Sequence, residues 1–244
     1  MNSTDSPLSL QQQVAFITGG GRGIGAATAE ALARKGAHVI IASRTESELL
    51  ATVARLQDAG LQASAQVVNV ADDEAVAAAF DAIASEFGRL DILVNNAAIL
   101  LSGTFADMAM KDWDRLMAIN LRGAVLCARQ AFRLMQERGG SIVNISSLGG
   151  VQNTDKFPGY SAYTVSKFAL TGLTEALAAE GKTCNIRVNG VAPGAVDTEM
   201  LRQAAPHLRT RTTPADVAKV IAFLCDPTES GCMTGATLMV NSNL

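Results

Sequence analysis

Residues 14 to 25, VAFITGGGRGIG, decide the fold of this chain. The first five residues are mostly apolar or β-branched, which predicts a buried strand, and helical spacing of apolar residues begins at Ile24. A glycine-rich turn between a strand and a helix lets the backbone approach a phosphate closely, and the helix N-terminus adds free N–H groups. The stretch therefore predicts a strand–turn–helix unit that binds a dinucleotide cofactor, with a plain tight turn as the alternative.

The alternation of strand and helix continues outward from this unit to the C-terminus. Alternating elements in one run predict parallel strands joined by right-handed crossovers. The fold class is therefore α/β, a single Rossmann-type doubly wound parallel sheet of about seven strands over residues 13 to 244, after a flexible tail at residues 1 to 12. Ligands bind such sheets beyond the carboxyl ends of the strands. Strands are predicted at 14–18, 38–42, 64–70, 92–94, 141–145, 186–191 and 237–240, and helices at 24–35, 46–59, 73–87, 112–138, 162–180 and 214–224.

Composition argues against several classes of partner. The net charge of -3 disfavours nucleic acid and anionic membranes, and no apolar run is long enough to span a bilayer. The polar N-terminus lacks the pattern of a signal peptide, so we expect a cytoplasmic protein. Four cysteines without CxxC spacing and only two histidines predict no metal site.

The end of the second predicted strand bears on cofactor choice. An acid at this position would hold the ribose hydroxyls of NAD and repel a 2′-phosphate, but here Ser43 and Arg44 occur. A serine and an arginine can both donate hydrogen bonds to a phosphate. Arg22, in the glycine turn at the start of a helix, also favours a nearby anion. These residues predict NADP(H), although both arginines could instead be ordinary solvated side chains.

A second group of residues suggests proton transfer. Tyr163 and Lys167 lie four residues apart on one face of a predicted helix. A lysine ammonium beside a tyrosine is expected to lower the phenol pKa from about 10, which would suit a general acid. Ser147 ends the preceding strand and can hydrogen-bond a substrate carbonyl oxygen. Each pattern alone also fits a surface pair or a strand-end turn.

The ordered set of these motifs resembles the classical short-chain dehydrogenase/reductase family from about Val14 to Val240. The markers are Thr18-Gly19 to Gly25, Asn95-Asn96-Ala97-Ala98, Asn120, Ser147, Tyr163 with Lys167, and Pro193-Gly194 to Thr198. The resemblance implies that Tyr163 is the general acid/base, that Ser147 orients the substrate, that Lys167 holds the nicotinamide ribose and that Asn120 anchors a relay water.

The resemblance also implies a set of cofactor contacts. Asn96 and Ala97 would line the adenosine ribose, Asn69 and Val70 would flank the adenine, and Val196 and Thr198 would hold the nicotinamide carboxamide. Together with the residues argued above, the predicted cofactor site comprises Gly19, Arg22, Gly23, Ile24, Gly25, Ser43, Arg44, Asn69, Val70, Asn96, Ala97, Tyr163, Lys167, Pro193, Gly194, Val196 and Thr198.

Two segments differ from the family pattern near the substrate. The stretch between Ser147 and Tyr163 is longer than usual, and the lid at about residues 198 to 213 is short, with room for one small helix near residues 200 to 205. An open site that admits bulky ketones is the hypothesis that follows. The family also implies a homo-oligomer, a tetramer or a dimer.

Three functions are compatible with the sequence, and a steroid or sugar dehydrogenase stays open as a further alternative, since no residue names the substrate. The leading one is an NADPH-dependent carbonyl reductase, an alcohol dehydrogenase in reverse, acting on a ketone or secondary alcohol. The second is a 3-oxoacyl-(acyl-carrier-protein) reductase, for which Arg138 near the expected mouth and the lid residues Arg202, Arg209 and Arg211 would dock the acidic carrier. The third is a non-catalytic NADPH-binding regulator, which the retention of Tyr163 and Lys167 disfavours.

Overall fold

The structure, a computed structural model, describes residues 8 to 241 and contains one seven-stranded parallel sheet. The strand order is β3-β2-β1-β4-β5-β6-β7, so successive crossovers change direction between β1 and β4. The carboxyl ends of these two central strands are where a doubly wound sheet opens a crevice. The strands are β1 (Val14–Thr18), β2 (His38–Ser43), β3 (Ala63–Val67), β4 (Ile92–Asn95), β5 (Gly140–Ile145), β6 (Ile186–Pro193) and β7 (Thr237–Val240).

Helices cover both faces of the sheet and bury two cores. Alternate residues of β1 enter opposite cores, with Ile17 on one side and Phe16 on the other, where Phe16 meets Phe80 edge to face at 5.1 Å. The helices are α1 (Gly23–Arg34), α2 (Glu46–Asp58), α3 (Asp73–Phe87), α4 (Met110–Met117), α5 (Gly123–Met135), α6 (Ser161–Gly181), α7 (Glu199–Ala204), α8 (Pro214–Cys225) and α9 (Pro227–Ser230). The predicted fold class is confirmed.

The predicted helix at residues 112 to 138 is interrupted. A π-helical segment, Ala118–Arg122, separates α4 from α5, and Asn120 lies in it. The Asn120 side chain bonds the backbone of Ile99 in both directions, accepting from its N–H at 2.8 Å and donating to its carbonyl at 2.9 Å. Periodicity predicts a continuous helix here, since one inserted residue hardly changes the apolar pattern.

The prediction of a flexible tail at residues 1 to 12 is wrong for the part of this segment that the structure describes. Leu10 is fully buried in the core, and its N–H donates to the carbonyl of Lys35 at 2.9 Å. The hydroxyl of Ser9 donates to the buried carboxylate of Asp226 at 2.5 Å. A single leucine among polar residues gives no periodic signal, which is why the packing was not predicted. Residues 1 to 7 lie outside the described part.

None of the described helices is both long and apolar enough to cross a membrane. In the same part of the chain, no group of three or more histidine, cysteine, aspartate or glutamate side chains is arranged to hold a metal ion.

Candidate active site

A cleft of about 460 Å³ opens beyond the carboxyl ends of β1, β2 and β4. Its floor is the glycine turn that follows β1, and its outer wall is the start of α7. Eleven residues predicted to bind the cofactor line it, namely Gly19, Arg22, Gly23, Ile24, Ser43, Arg44, Asn69, Val70, Asn96, Ala97 and Thr198. Most of the predicted cofactor site is therefore brought together in one cleft.

Glycines make the turn fit its surroundings. Gly19 has a φ of +65°, and a Cβ on it would lie 2.8 Å from the amide nitrogen of Asn96. A Cβ on Gly25 would lie only 2.2 Å from the carbonyl oxygen of Gly19. Gly25 therefore packs against the backbone of the turn, and it does not line the cleft. The absence of side chains leaves backbone N–H groups open to a ligand at the start of α1.

The side chain of Asn96 fastens the turn to β4. Its amide donates to the carbonyls of Thr18 at 2.9 Å and Gly19 at 3.0 Å. In return, the hydroxyl of Thr18 accepts from the backbone N–H groups of Asn96 and Ala97, both at 3.0 Å. Thr18 was seen in the sequence only as a family marker, yet it holds the two loops of the crevice together.

The far end of the cleft carries the two arginines that predicted a phosphate. Arg44 is exposed and forms no ion pair with any residue of the described chain, whereas Arg22 lies 3.3 Å from a carboxylate oxygen of Glu48. The hydroxyl of Ser43 lies at the strand end and accepts from the N–H of Thr45 at 3.3 Å. Glu48, which lines the same cleft, was not predicted from the sequence.

The end of the cleft that is predicted to take the adenine is bordered by the loop after β3. Val70 and Asn69 both line the cleft. The side-chain oxygen of Asn69 accepts from the N–H of Ala71 at 3.2 Å, so part of its capacity stabilises its own turn. The amide N–H₂ of this side chain forms no bond with a described residue and remains available to a ligand.

Three of the predicted catalytic side chains meet at the start of α6. The side chain of Ser147 lies beside the phenol of Tyr163 and acts to lower its pKa. The ammonium of Lys167 is buried, donates to the carbonyl of Ile145 at 2.7 Å and lies 5.6 Å from the centre of the Tyr163 ring. Ser146 fixes the helix against the strand by donating to the carbonyl of Lys167 at 2.9 Å.

The fourth predicted catalytic residue, Asn120, touches this helix from the other side. Besides its two bonds with Ile99, its amide donates to the hydroxyl of Ser166 at 3.2 Å, and Ser166 donates to the carbonyl of Tyr163 at 2.7 Å. Both N–H donors of the Asn120 amide are thus used within the protein. Any water that binds at Asn120 must therefore donate its hydrogen bond to an oxygen of this residue.

The pKa of Tyr163 differs from the expectation. Burial raises the pKa of this phenol, and the side chain of Ser147 opposes the rise only in part. Burial also lowers the pKa of Lys167 to about 8, because the ammonium is removed from water without a carboxylate partner. The predicted lowering of the Tyr163 pKa by Lys167 is therefore wrong for the protein alone, and the phenol keeps its proton at neutral pH.

The loop after β6 closes the other end of the cleft. Thr198 lines the cleft and caps α7, its hydroxyl accepting from the N–H of Leu201 at 3.2 Å. Pro193 ends β6, and Gly194 and Val196 lie in the turn that follows it. None of these three residues lines the cleft, and neither do Tyr163 and Lys167 of α6. The lid itself is the single short helix α7, followed by an extended stretch that reaches α8.

Several known proteins are similar to this chain over most of its length. The family model of short chain dehydrogenases matches residues 13–209. The chain belongs to the short-chain dehydrogenase/reductase family. It is 38% identical to the short-chain reductase protein NovJ of Streptomyces niveus, over 95% of this chain and 93% of the relative.

Two further relatives cover almost the whole length of this dehydrogenase/reductase. The 3-oxoacyl-(acyl-carrier-protein) reductase FabG of Vibrio cholerae is 34% identical over 97% of this chain and 99% of the relative. The crystal structure of a dehydrogenase/reductase from Sinorhizobium meliloti is 35% identical, covers 96% of both chains and superposes with a TM-score of 0.87.

The cleft of this dehydrogenase/reductase fits the nicotinamide cofactor that the family uses. Gly19, Gly21 and Gly23 present only backbone to the cleft, which leaves room for a pyrophosphate at the N-terminus of α1. Other cleft residues were not among the predicted cofactor contacts. Gly21 and Ala98 lie within the family markers, and the rest carry no motif of their own: Ala42, Thr45, Glu48, Val68, Ile99, Ile119, Asp197, Glu199, Met200, Arg202 and Pro214.

The lowered pKa of Lys167 gives a prediction for pH dependence. The pKa lies at about 8 instead of 10.5, so the ammonium is present below pH 8 and is lost as the pH rises through 8. We expect kcat/KM for the reduced cofactor, which reports the free enzyme, to be flat below pH 8 and to fall above it. A steady-state pH profile measures this. A fall that begins only near pH 10.5, or one that persists in Lys167→Met, would contradict the assignment.

Proposed function

We propose that this short-chain dehydrogenase/reductase is an NADPH-dependent carbonyl reductase that converts a ketone to a secondary alcohol. The observation that carries the proposal is the placement of Ser147 beside the Tyr163 phenol, with the buried ammonium of Lys167 5.6 Å from the centre of the Tyr163 ring. A phenol whose pKa is raised by burial is protonated at neutral pH and can donate a proton. Reduction of a ketone consumes one proton, so this state of Tyr163 suits the reductive direction.

The proposed mechanism assigns one step to each side chain. NADPH, when bound, supplies the hydride to the carbonyl carbon. Ser147 holds the carbonyl oxygen by a hydrogen bond, and Tyr163 donates its phenol proton to that oxygen as negative charge develops on it. Lys167 donates to the cofactor ribose and restores charge balance near the phenolate, while an oxygen of Asn120 accepts from the water that returns the proton.

The preference for NADPH over NADH is also part of the proposal. It is supported by the uncompensated charge of Arg44, by the position of Arg22 in the same cleft and by the absence of an acid at Ser43. Asn96 and Ala97 would line the adenosine ribose, and Asn69 and Val70 the adenine. Gly194, Val196 and Thr198, with Pro193 shaping the turn, would hold the carboxamide.

The substrate is proposed to be bulky and apolar. Three segments are joined near the end of α7: the N–H of Gly103 donates to the carbonyl of Gly159 at 2.9 Å, and the hydroxyl of Tyr160 donates to the carbonyl of Ala204 at 3.0 Å. These segments expose large apolar side chains, among them Phe105 at 75% and Phe157 at 70% exposure. Exposed apolar rims of this kind bind apolar ligands.

The bond between Tyr160 and Ala204 provides a test of the lid. Tyr160→Phe removes a hydrogen bond worth about 1 kcal/mol that ties α7 to the start of the catalytic helix. We expect the KM for a bulky aryl ketone to rise about fivefold, with kcat and the dissociation constant of NADPH nearly unchanged. An unaltered KM for bulky ketones would show that α7 does not contribute to substrate binding.

A carrier-protein substrate is the second candidate, favoured by the resemblance to FabG of Vibrio cholerae. The basic cluster expected to dock the carrier is weaker than predicted. Arg202 pairs with Asp197 and Glu199. Arg138 lies just before the amino end of β5, whereas the cleft opens at the carboxyl ends of the strands. Saturable activity on a 3-oxoacyl carrier that is lost at high salt would favour this candidate over a free ketone.

A homo-oligomer remains part of the proposal. Val125 on α5 and Val165 on α6 expose apolar side chains on helices that a partner subunit could cover.

A cytoplasmic location is also part of the proposal. All four cysteines are free thiols, which fits a reducing cytoplasm.

A further inference from the structure

The cofactor cleft contains an acid at the end where the 2′-phosphate is proposed to bind. Glu48 lies in the first turn of α2, and its carboxylate is 3.3 Å from the guanidinium of Arg22. The Arg22 side chain is 62% exposed, while that of Glu48 is only 33% exposed. The acid is therefore the more buried partner, and it holds the exposed guanidinium of Arg22 at the cleft wall.

The glycine turn makes room for this acid. A Cβ on Gly21 would lie 3.0 Å from the Cβ of Glu48 and 3.5 Å from its carboxylate oxygen Oε2. Glu48 therefore packs directly over the turn that the cofactor must approach. Ser43 and Arg44 line the same cleft, so one acid and two arginines surround the proposed phosphate position.

We propose that Glu48 is a specificity-determining residue that competes with the cofactor 2′-phosphate for Arg22. The inference rests on the proposed function, because it requires a phosphate between Arg22 and Arg44. When the phosphate enters, the ion pair opens, and Arg22 exchanges one anion for another. Glu48 then remains as an uncompensated negative charge near the phosphate, which weakens NADPH binding and reduces the discrimination against NADH.

Competition between Glu48 and the 2′-phosphate should depend on the charge of Glu48 and on the ionic strength. Two like charges a few ångströms apart at a partly exposed site repel each other, and salt screens that repulsion. NADH carries no 2′-phosphate and leaves the pair of Arg22 and Glu48 in place. Removing the charge of Glu48 should therefore change NADPH binding selectively, and the change should shrink as ionic strength rises.

Glu48→Gln and Glu46→Gln form a matched pair of variants. Both acids stabilise the first turn of α2, but Glu46 is exposed, forms no ion pair with any described residue and does not line the cleft. Dissociation constants are measured at low and high salt for NADPH, NADH and the fragments 2′,5′-ADP and 5′-AMP. The fragments separate an effect on the phosphate from one on the nicotinamide, and no turnover is required.

Glu48→Gln is expected to tighten binding of NADPH and 2′,5′-ADP about 3- to 10-fold at low salt, and less at high salt. It should leave NADH and 5′-AMP within about twofold, and Glu46→Gln should change none of the four. Equal effects of the two variants, or no change with Glu48→Gln, would overturn the proposal. Weaker binding of NADH and 5′-AMP to Glu48→Gln would overturn it as well, because Glu48 would then be a ribose ligand. Failure of the proposed function would give a different result from failure of the Glu48 proposal, because the unaltered protein itself would then bind NADH more tightly than NADPH.

Discussion

Replacing Tyr163 by phenylalanine is expected to lower kcat for ketone reduction about 100- to 10,000-fold, the range for removal of a positioned general acid. The substitution deletes one hydroxyl, which lies beside Ser147. The ring and its contact with Lys167 remain. The dissociation constant of NADPH should change by less than about threefold, so the loss falls on the chemical step.

The chain supplies its own control, because Tyr160 and Tyr163 are its only tyrosines. Tyr160→Phe removes the same hydroxyl from the residue just before α6, and its kcat should stay within about threefold of the unaltered protein. In Tyr160→Phe, absorbance titration of the single remaining phenol reports Tyr163 directly, and its apparent pKa should lie above 10, the direction that burial imposes. Substantial activity in Tyr163→Phe would remove the phenol from the mechanism.

Replacing Arg22 or Arg44 by alanine is expected to have the second large effect, a weaker binding of NADPH. Arg22→Ala and Arg44→Ala should each weaken NADPH binding about 10- to 100-fold, because a hydrogen bond to a charged group contributes about 1.5–3 kcal/mol. NADH has no phosphate at this position, so its dissociation constant should stay within about threefold. The effect of Arg22→Ala should be the smaller one, since Arg22 must first leave Glu48.

Arg55→Ala is the matched control for these substitutions. Arg55 lies on α2 like Glu48, but it pairs with Glu30 and does not line the cleft. Its loss should leave the binding of both cofactors unchanged. Equal weakening of NADPH and NADH by Arg44→Ala would mean that Arg44 contacts a group common to both cofactors and would contradict the proposed phosphate site.

The fold could be predicted largely from local patterns in the sequence. The bounds of α3 and β7 agree with the prediction at every residue, because Asp72 caps the helix, Gly88 ends it and β7 is a short apolar run between polar turns. The packing of Leu10 and the π segment at Asn120 were not predictable in the same way. Both depend on contacts with distant residues, namely Lys35 for Leu10 and Ile99 for Asn120.

The residues of the candidate site divide in the same way, into those that a sequence motif identifies and those that depend on contacts in the folded protein. Residues that carry a motif, such as Gly19, Thr198 and Tyr163, were identified from order and spacing. Glu48 was not, because an acid in the first turn of a helix is explained by the helix dipole alone. The direction of the Tyr163 pKa was also mispredicted, since spacing places Lys167 nearby but does not show how far the phenol and the ammonium are shielded from water.

The most direct test of the account is the ratio of kcat/KM for NADPH to that for NADH, measured with one bulky aryl ketone and the unaltered protein. The account predicts turnover with both cofactors and a ratio of at least about ten in favour of NADPH, from the charge-assisted contacts of Arg22 and Arg44. A ratio below one would contradict the phosphate site. Binding of NADPH without turnover of any ketone would instead favour a regulator that uses the cofactor only as a ligand.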